Sequence, residues 1–268
     1  MKKLLMLSVA LCGASAIYAA DVTNPFYVPA EGKFLSDTTV TYQNFEHGRA
    51  EAALATENLS YGVGKGASVG VTVADSWEFD FGNSGSKKYD NPAVGVNVKY
   101  NILDDAAKLQ VEGGYNQGFL RAPFENNYTQ SFAFAGVHHA KEIFGTVKAG
   151  YDLGDGFLPY ASITADQIVG EYHNFSKKPV YTTRFALNKT FNEHFTGDVG
   201  ASYVWNKNKF GGKHERSWVA DASLNYLFCE NMSVGLKGEY VLDHGPKDPD
   251  DWMHYHAYTI GANLKVAF

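Results

Sequence analysis

The sequence predicts an all-β protein: a single transmembrane antiparallel β-barrel, with twelve strands as the expected count and fourteen or ten as the alternatives. Three observations carry this. Alternating apolar and polar segments of about ten residues recur along the chain, separated by clusters of Gly, Asn and Asp. The polar faces of these segments hold charges that a dry core would reject. The connections between them alternate between tight and long, as an up-and-down barrel requires. No helical periodicity of any length competes with the period of two.

The bulk properties agree. Hydrophobic residues make up 45% of the 268-residue chain, yet mean hydropathy is −0.26, and beyond the first twenty residues no apolar run approaches a spanning helix. Aromatics reach 15%, carried by 17 Tyr, 18 Phe and 4 Trp, and 27 Gly supply turns. A net charge of −6 argues against nucleic acid as a partner.

The first element is MKKLLMLSVALCGASAIYAAD. Lys2 and Lys3 form a basic start, Leu4 to Leu11 an apolar stretch and Ala14 to Ala20 a small-residue segment, so residues 1–19 read as a cleaved secretory signal peptide. Leu11 is not the small residue that lipid attachment at Cys12 would want before it. Residues 20–33 carry Pro25 and Pro29, which remove ladder donors. They are expected to form a periplasmic N-terminal leader or a short plug, and residues 34–268 the barrel.

Within the barrel, KLQVEGGYN sets Leu109, Val111, Gly113 and Tyr115 against Lys108, Gln110 and Glu112. SWVADASLNYLF sets Trp218, Ala220, Leu224, Tyr226 and Phe228 against Asp221, Ser223 and Asn225. NMSVGLKGEYVL sets Met232, Val234, Leu236 and Tyr240 against Ser233, Lys237 and Glu239. The last segment, YTIGANLKVAF, has Tyr258, Ile260, Ala262, Leu264, Val266 and Phe268 on one face and Asn263 and Lys265 on the other.

Tight links are expected at GKG, LDD, LGDG, KTFNEH and CEN; long, polar links at EFDFGNSGSKKYD, FLRAPFENN, YHNFSKKP, NKNKFGGKHER and DHGPKDPDD. Placing the tight set in the periplasm gives an even count with both ends of the barrel on that side. It also makes Ser131 to Leu153 one long strand whose membrane part is Ile143 to Leu153. The same map puts Trp77, Trp205, Trp218 and Trp252 in an outer aromatic girdle. Tyr61, Tyr100, Tyr151, Tyr160, Phe195, Tyr226, Phe228 and Phe268 fall at the periplasmic ends.

The polar faces then line a lumen with Lys99, Lys108, Glu112, Lys148, Asp166, Arg184, Asp198, Asp221, Lys237, Glu239 and Lys265. Charges on such a face suit a water-filled passage, where they set selectivity, and twelve strands lie between filled and open barrels.

The signal peptide, the alternating strands and the terminal strand ending in Phe268 resemble Gram-negative outer-membrane β-barrel proteins of the small porin-like class. The resemblance covers the whole chain after the signal and implies residence in the outer membrane, among its lipids. It also implies that Tyr258, Ile260, Leu264, Val266 and Phe268 form the signal read by the barrel-assembly machinery. The expected function is a narrow porin-like channel for passive diffusion of small polar solutes. A plugged or structural barrel, or a surface ligand-binding protein, is the alternative.

An outer-membrane lipid-modifying hydrolase is the rival from another class. His173 and Ser176 lie on one link and Asp166 on the strand before it, but no lipase or deacylase motif frames them. No catalytic residue is therefore assigned. His254 and His256 share one strand face beside Asp243, His244, Asp248, Asp250 and Asp251, with no spacing of a defined metal motif. No cofactor or metal is expected.

Overall fold

The computed structural model describes residues 21–45, 50–80, 89–90, 92–118, 141–169, 179–210, 213–243 and 257–268. Twelve antiparallel strands close into a barrel without a helix. They are β1 (Phe34–Phe45), β2 (Ala50–Gly64), β3 (Ala67–Asp80), β4 (Ala93–Asp104), β5 (Ala107–Gly118) and β6 (Lys141–Tyr151). The circuit continues with β7 (Phe157–Val169), β8 (Val180–Thr190), β9 (Phe195–Phe210), β10 (Lys213–Cys229), β11 (Met232–Asp243) and β12 (Ala257–Ala267). Tyr89 and Asp90 add a two-residue pairing to the far end of β3.

Each strand pairs with its neighbours in sequence, and β1 pairs with both β2 and β12. Closure matters because lipid offers no partner for a backbone N–H or C=O, so an open sheet edge is not tolerated there. The seam is continuous from Leu35 opposite Ala267 to Phe45 opposite Ala257. The backbones of Phe34 and Phe268 extend it, exchanging hydrogen bonds of 2.7 and 2.9 Å.

The burial pattern is inverted relative to a soluble protein. On β4, Val94, Val96 and Val98 are exposed while Ala93, Gly95, Asn97 and Asn101 are buried. On the same outer surface stand Val40, Val71, Val73, Ile143, Val147, Ile163, Phe185, Val199, Leu224, Leu236 and Ile260, all exposed. A belt of this extent has one physical use, contact with an apolar solvent. The inward face is polar, with Thr41, Gln43, Ser60, Ser68, Gln110, Asn188, Thr196, Ser202, Ser217, Ser233 and Thr259 among its buried residues.

All five expected tight links are turns, and all lie at one end of the barrel. The tightest bend is Gly154–Asp155–Gly156, where φ is 81°, 49° and 74°. Glycine takes that region freely and Asp tolerates it.

One expectation changes, and one falls partly outside the described residues. NKNKFGGKHER was expected to be a link, but β9 runs on to Phe210 and β10 starts at Lys213, with Lys209 opposite His214 and Phe210 opposite Lys213. A register shift after Trp205 absorbs the irregular sequence, so this hairpin stays paired to its tip. The strand over Ser131–Leu153 is described only as β6, ending at Tyr151; residues 131–140 lie outside the described residues.

Candidate functional site

The lumen is the site, because the period of two delivers every strand's polar residues to it. Glu57 is an exception: it shares the odd-numbered outer face of β2 with exposed Leu59 and Tyr61, and there the hydroxyls of Ser36 and Thr38 both donate to it, the first at 2.7 Å. Lys265 of β12 stands 3.8 Å from Asp37 of β1, an ion pair across the seam. Around the β2–β5 wall, Asn58 donates to Thr72 at 2.7 Å and Asn97 donates to Glu112 at 2.9 Å. Glu112 also faces Lys99 at 3.7 Å.

A second cluster gathers residues from four adjacent strands. Arg184 on β8 forms ion pairs with Asp198 on β9 and Asp221 on β10, and donates to the Tyr160 hydroxyl on β7. Tyr160 in turn donates to Asp198 at 2.8 Å. The reach from β8 over β9 to β10 needs space that Gly200 supplies. A Cβ at Gly200 would stand 2.8 Å from the guanidinium. The fork geometry of Arg fits two carboxylates where a Lys could not.

The third feature is the segment before β1. Val22 is 1% exposed and packs on Leu35 and Ala267 beside the seam. The chain leaves the segment over Gly62 of β2, where a Cβ would meet the Pro29 and Ala30 carbonyl oxygens at 2.4 and 2.0 Å. Between these points it crosses the bore. Phe26 is 2% exposed and lies edge-on to Tyr160, ring centroids 6.0 Å apart at 76°. A Cβ at Gly150 of β6 would stand 2.9 Å from the Phe26 ring.

Three side chains hold the segment's backbone there: Lys148 donates to the Pro25 carbonyl at 2.6 Å, and Asn101 and Gln110 donate to the Phe26 carbonyl at 3.0 and 3.1 Å. Gln110 also donates to Asn101 at 2.7 Å. These bonds satisfy main-chain groups that a ladder would otherwise satisfy.

Away from the turn end the lumen is acidic. Glu142 is 4% exposed and accepts from Asn116 at 2.9 Å; Asp166 sits on the next strand, its position opposite Phe144. Neither has a cation within ion-pair distance among the described residues. Across the bore, Lys237 and Glu239 are 3.7 Å apart and border a cavity of about 180 Å³ with Thr39, Thr41, Leu54, Thr56 and Thr259.

The eleven charged residues expected at the lumen all occupy inward positions of the strand alternation, and Lys108 adds a 3.0 Å ion pair to Asp104 at the turn end. Trp205 and Trp218 are exposed on the outer surface, near Tyr181 (6.1 Å) and Tyr203 (4.9 Å). The side chain of Trp77, and Trp252 altogether, lie outside the described residues, as do His173, Ser176, His244, Asp248, Asp250, Asp251, His254 and His256.

At the turn end Tyr61, Tyr100, Tyr151, Phe195, Phe228 and Phe268 are exposed. Tyr160 is the exception: it points inward, because it shares the even-numbered face of β7 with Asp166. Phe26, Asn101 and Glu142 were not singled out from the sequence, and Gln110 was named only as a polar-face residue of its strand. For Glu142 the signal was present, as it shares parity with Lys148 on one strand.

No protein-family model matches the chain, and no curated protein matches it in sequence. Solved structures share its fold. The COG4313 outer membrane channel from Pseudomonas putida F1 is 10% identical with a TM-score of 0.64, over 93% of this chain and 100% of that one. The NanC porin is 16% identical with a TM-score of 0.53, over 85% and 98%. The translocator domain of autotransporter NalP from Neisseria meningitidis is 11% identical with a TM-score of 0.53, over 99% and 96%. At such identities the likeness concerns architecture. By fold, the chain is a closed twelve-stranded antiparallel β-barrel, the architecture shared by these outer-membrane structures.

Proposed function

We propose that the protein is a narrow porin-like passage in a Gram-negative outer membrane, letting small polar solutes diffuse down their gradients. The observation that carries this reading is the polarity of the bore. Charges and amides on inward positions of a closed barrel favour water inside it. A barrel whose only task was structural would gain by filling that space with apolar side chains. The names of two structural neighbours, a porin and an outer membrane channel, point the same way. Residues 1–19 would direct export. The outward row Tyr258, Ile260, Leu264, Val266 and Phe268 of the last strand would be read by the assembly machinery.

The test is a planar bilayer recording of the folded chain lacking residues 1–19. Discrete conductance steps are expected, and a silent bilayer at high protein density overturns the reading. A sealed barrel is the second reading, and one observation favours it: Phe26 and its neighbours lie across the bore at the turn end.

A further inference from the structure

We propose that residues 21–30 are a resident plug that sets the bore of the barrel, with Lys148 as its latch. The inference rests on the passage reading and adds the element that limits it. The geometry is that of a strut. The order of strands around the barrel places β7 six strands from β1 in either direction, so the two are diametrically opposed. Val22 is anchored at β1 and β12, through Leu35 and Ala267. Phe26 is anchored at β6 and β7, against Gly150 and Tyr160. A segment fixed to both walls occupies the space between them.

The anchoring is specific. A docked segment outside the ladder must satisfy its main-chain carbonyls, and here Lys148, Asn101 and Gln110 converge on two consecutive ones. Lys148 also stands 5.4 Å from the Phe26 ring centroid, so one ammonium holds both the backbone and the side chain of the plug. Gly62 and Gly150 leave room where any side chain would collide with the segment. Two consecutive turns, closed by Asn24 N–H to the Asp21 carbonyl and Tyr27 N–H to the Asn24 carbonyl, fold it across the bore, and Pro25 and Pro29 keep it out of the ladder.

The contrast with Arg184 defines the latch. Arg184 is paired to two carboxylates of the wall, so its contacts survive without the plug. Among the described residues, Lys148 has no carboxylate partner; besides the Pro25 carbonyl it reaches Gln110 at 3.4 Å. With the segment gone, Lys148 would face the bore as an open cation.

Two chains test this, one lacking residues 1–19 and one lacking residues 1–30, each folded into detergent and checked for the unheated gel shift of an intact barrel. Unitary conductance of the shorter chain should at least double. A chain that is silent with the segment and conducts without it supports the plug while overturning the open passage in favour of the sealed barrel. Equal conductance of the two overturns the plug and leaves the passage reading standing; silence of both overturns the passage reading instead.

Seating of the segment is read separately, by maleimide labelling of Val22→Cys in a Cys229→Ser chain. Protection in the folded barrel, lost on unfolding in urea, supports the seating that the plug requires, and labelling at the unfolded rate overturns the plug. In the shorter chain, Lys148→Gln should shift the reversal potential in a KCl gradient toward cation preference. The same substitution in the chain that keeps the segment should raise conductance by freeing the latch; an unchanged value there would overturn Lys148 as the latch.

Discussion

Phe34 and Phe268 lie stacked, ring centroids 5.6 Å apart at 19°, where the first strand meets the last. Tyr61 extends the stack at 4.8 Å from Phe34, so three aromatics of β2, β1 and the end of β12 clasp the seam at the turn end. Phe268→Ala removes one of them. We expect a loss of about 1 kcal/mol beyond the area term and a lower yield of heat-modifiable barrel, measured by gel shift against urea concentration. Phe268→Tyr should retain both.

Arg184→Met leaves Asp198 and Asp221 facing each other without their cation. Removing the cation from this half-buried cluster should cost about 1–3 kcal/mol, because two carboxylates are left close together and unpaired. Equilibrium unfolding in urea should show that loss. Adding Asp198→Asn and Asp221→Asn to the same chain should recover part of it. Gly200→Val should imitate Arg184→Met by displacing the guanidinium.

Leu236 is 66% exposed and Lys237 beside it faces the lumen. Leu236→Lys is therefore expected to lower barrel stability in lipid by about 2–4 kcal/mol. Lys237→Leu should leave insertion intact and alter only conduction. A denaturant titration in vesicles compares the two, and equal costs would contradict the assigned faces.

Glu142 and Asp166 place carboxylates in the half of the bore remote from the turns, without cations among the described residues. Fixed negative charge in a pore wall favours cations. The double substitution Glu142→Gln, Asp166→Asn should move the reversal potential in a KCl gradient toward anion preference. No movement would show that these groups do not face the conducting path.

Most of the architecture was legible because one physical rule generates it. In AVGVNVKYNILD, valines at every second position mark the lipid face and Asn97 and Lys99 the lumen, and no packing detail can reverse that assignment without reversing the whole strand. The Arg184 cluster was legible only as separate inward residues. Its assembly depends on register between β7 and β10, which alternation does not encode.

Tyr160 was misplaced because an aromatic near a turn suits an interfacial girdle as well as a lumen, and its parity with Asp166 was the only clue. The segment around Phe26 was the hardest. Its prolines say what it is not, while its socket is built from Asn101, Gln110, Lys148, Gly150 and Tyr160, brought together only by the closed circuit. The paired tip of β9 and β10 was hidden for the opposite reason: a Gly-rich, basic stretch reads as a loop, yet backbone pairing tolerates it.

The position of that socket has a consequence for the order of assembly. Its floor is contributed by β6 and β7, on the far side of the circuit from the strand that follows the segment. The socket does not exist until the chain has gone halfway round, and the Val22 anchor does not exist until β12 has met β1. The stretch that precedes every strand in the chain is therefore the last to take its place, and its arrival marks a finished barrel.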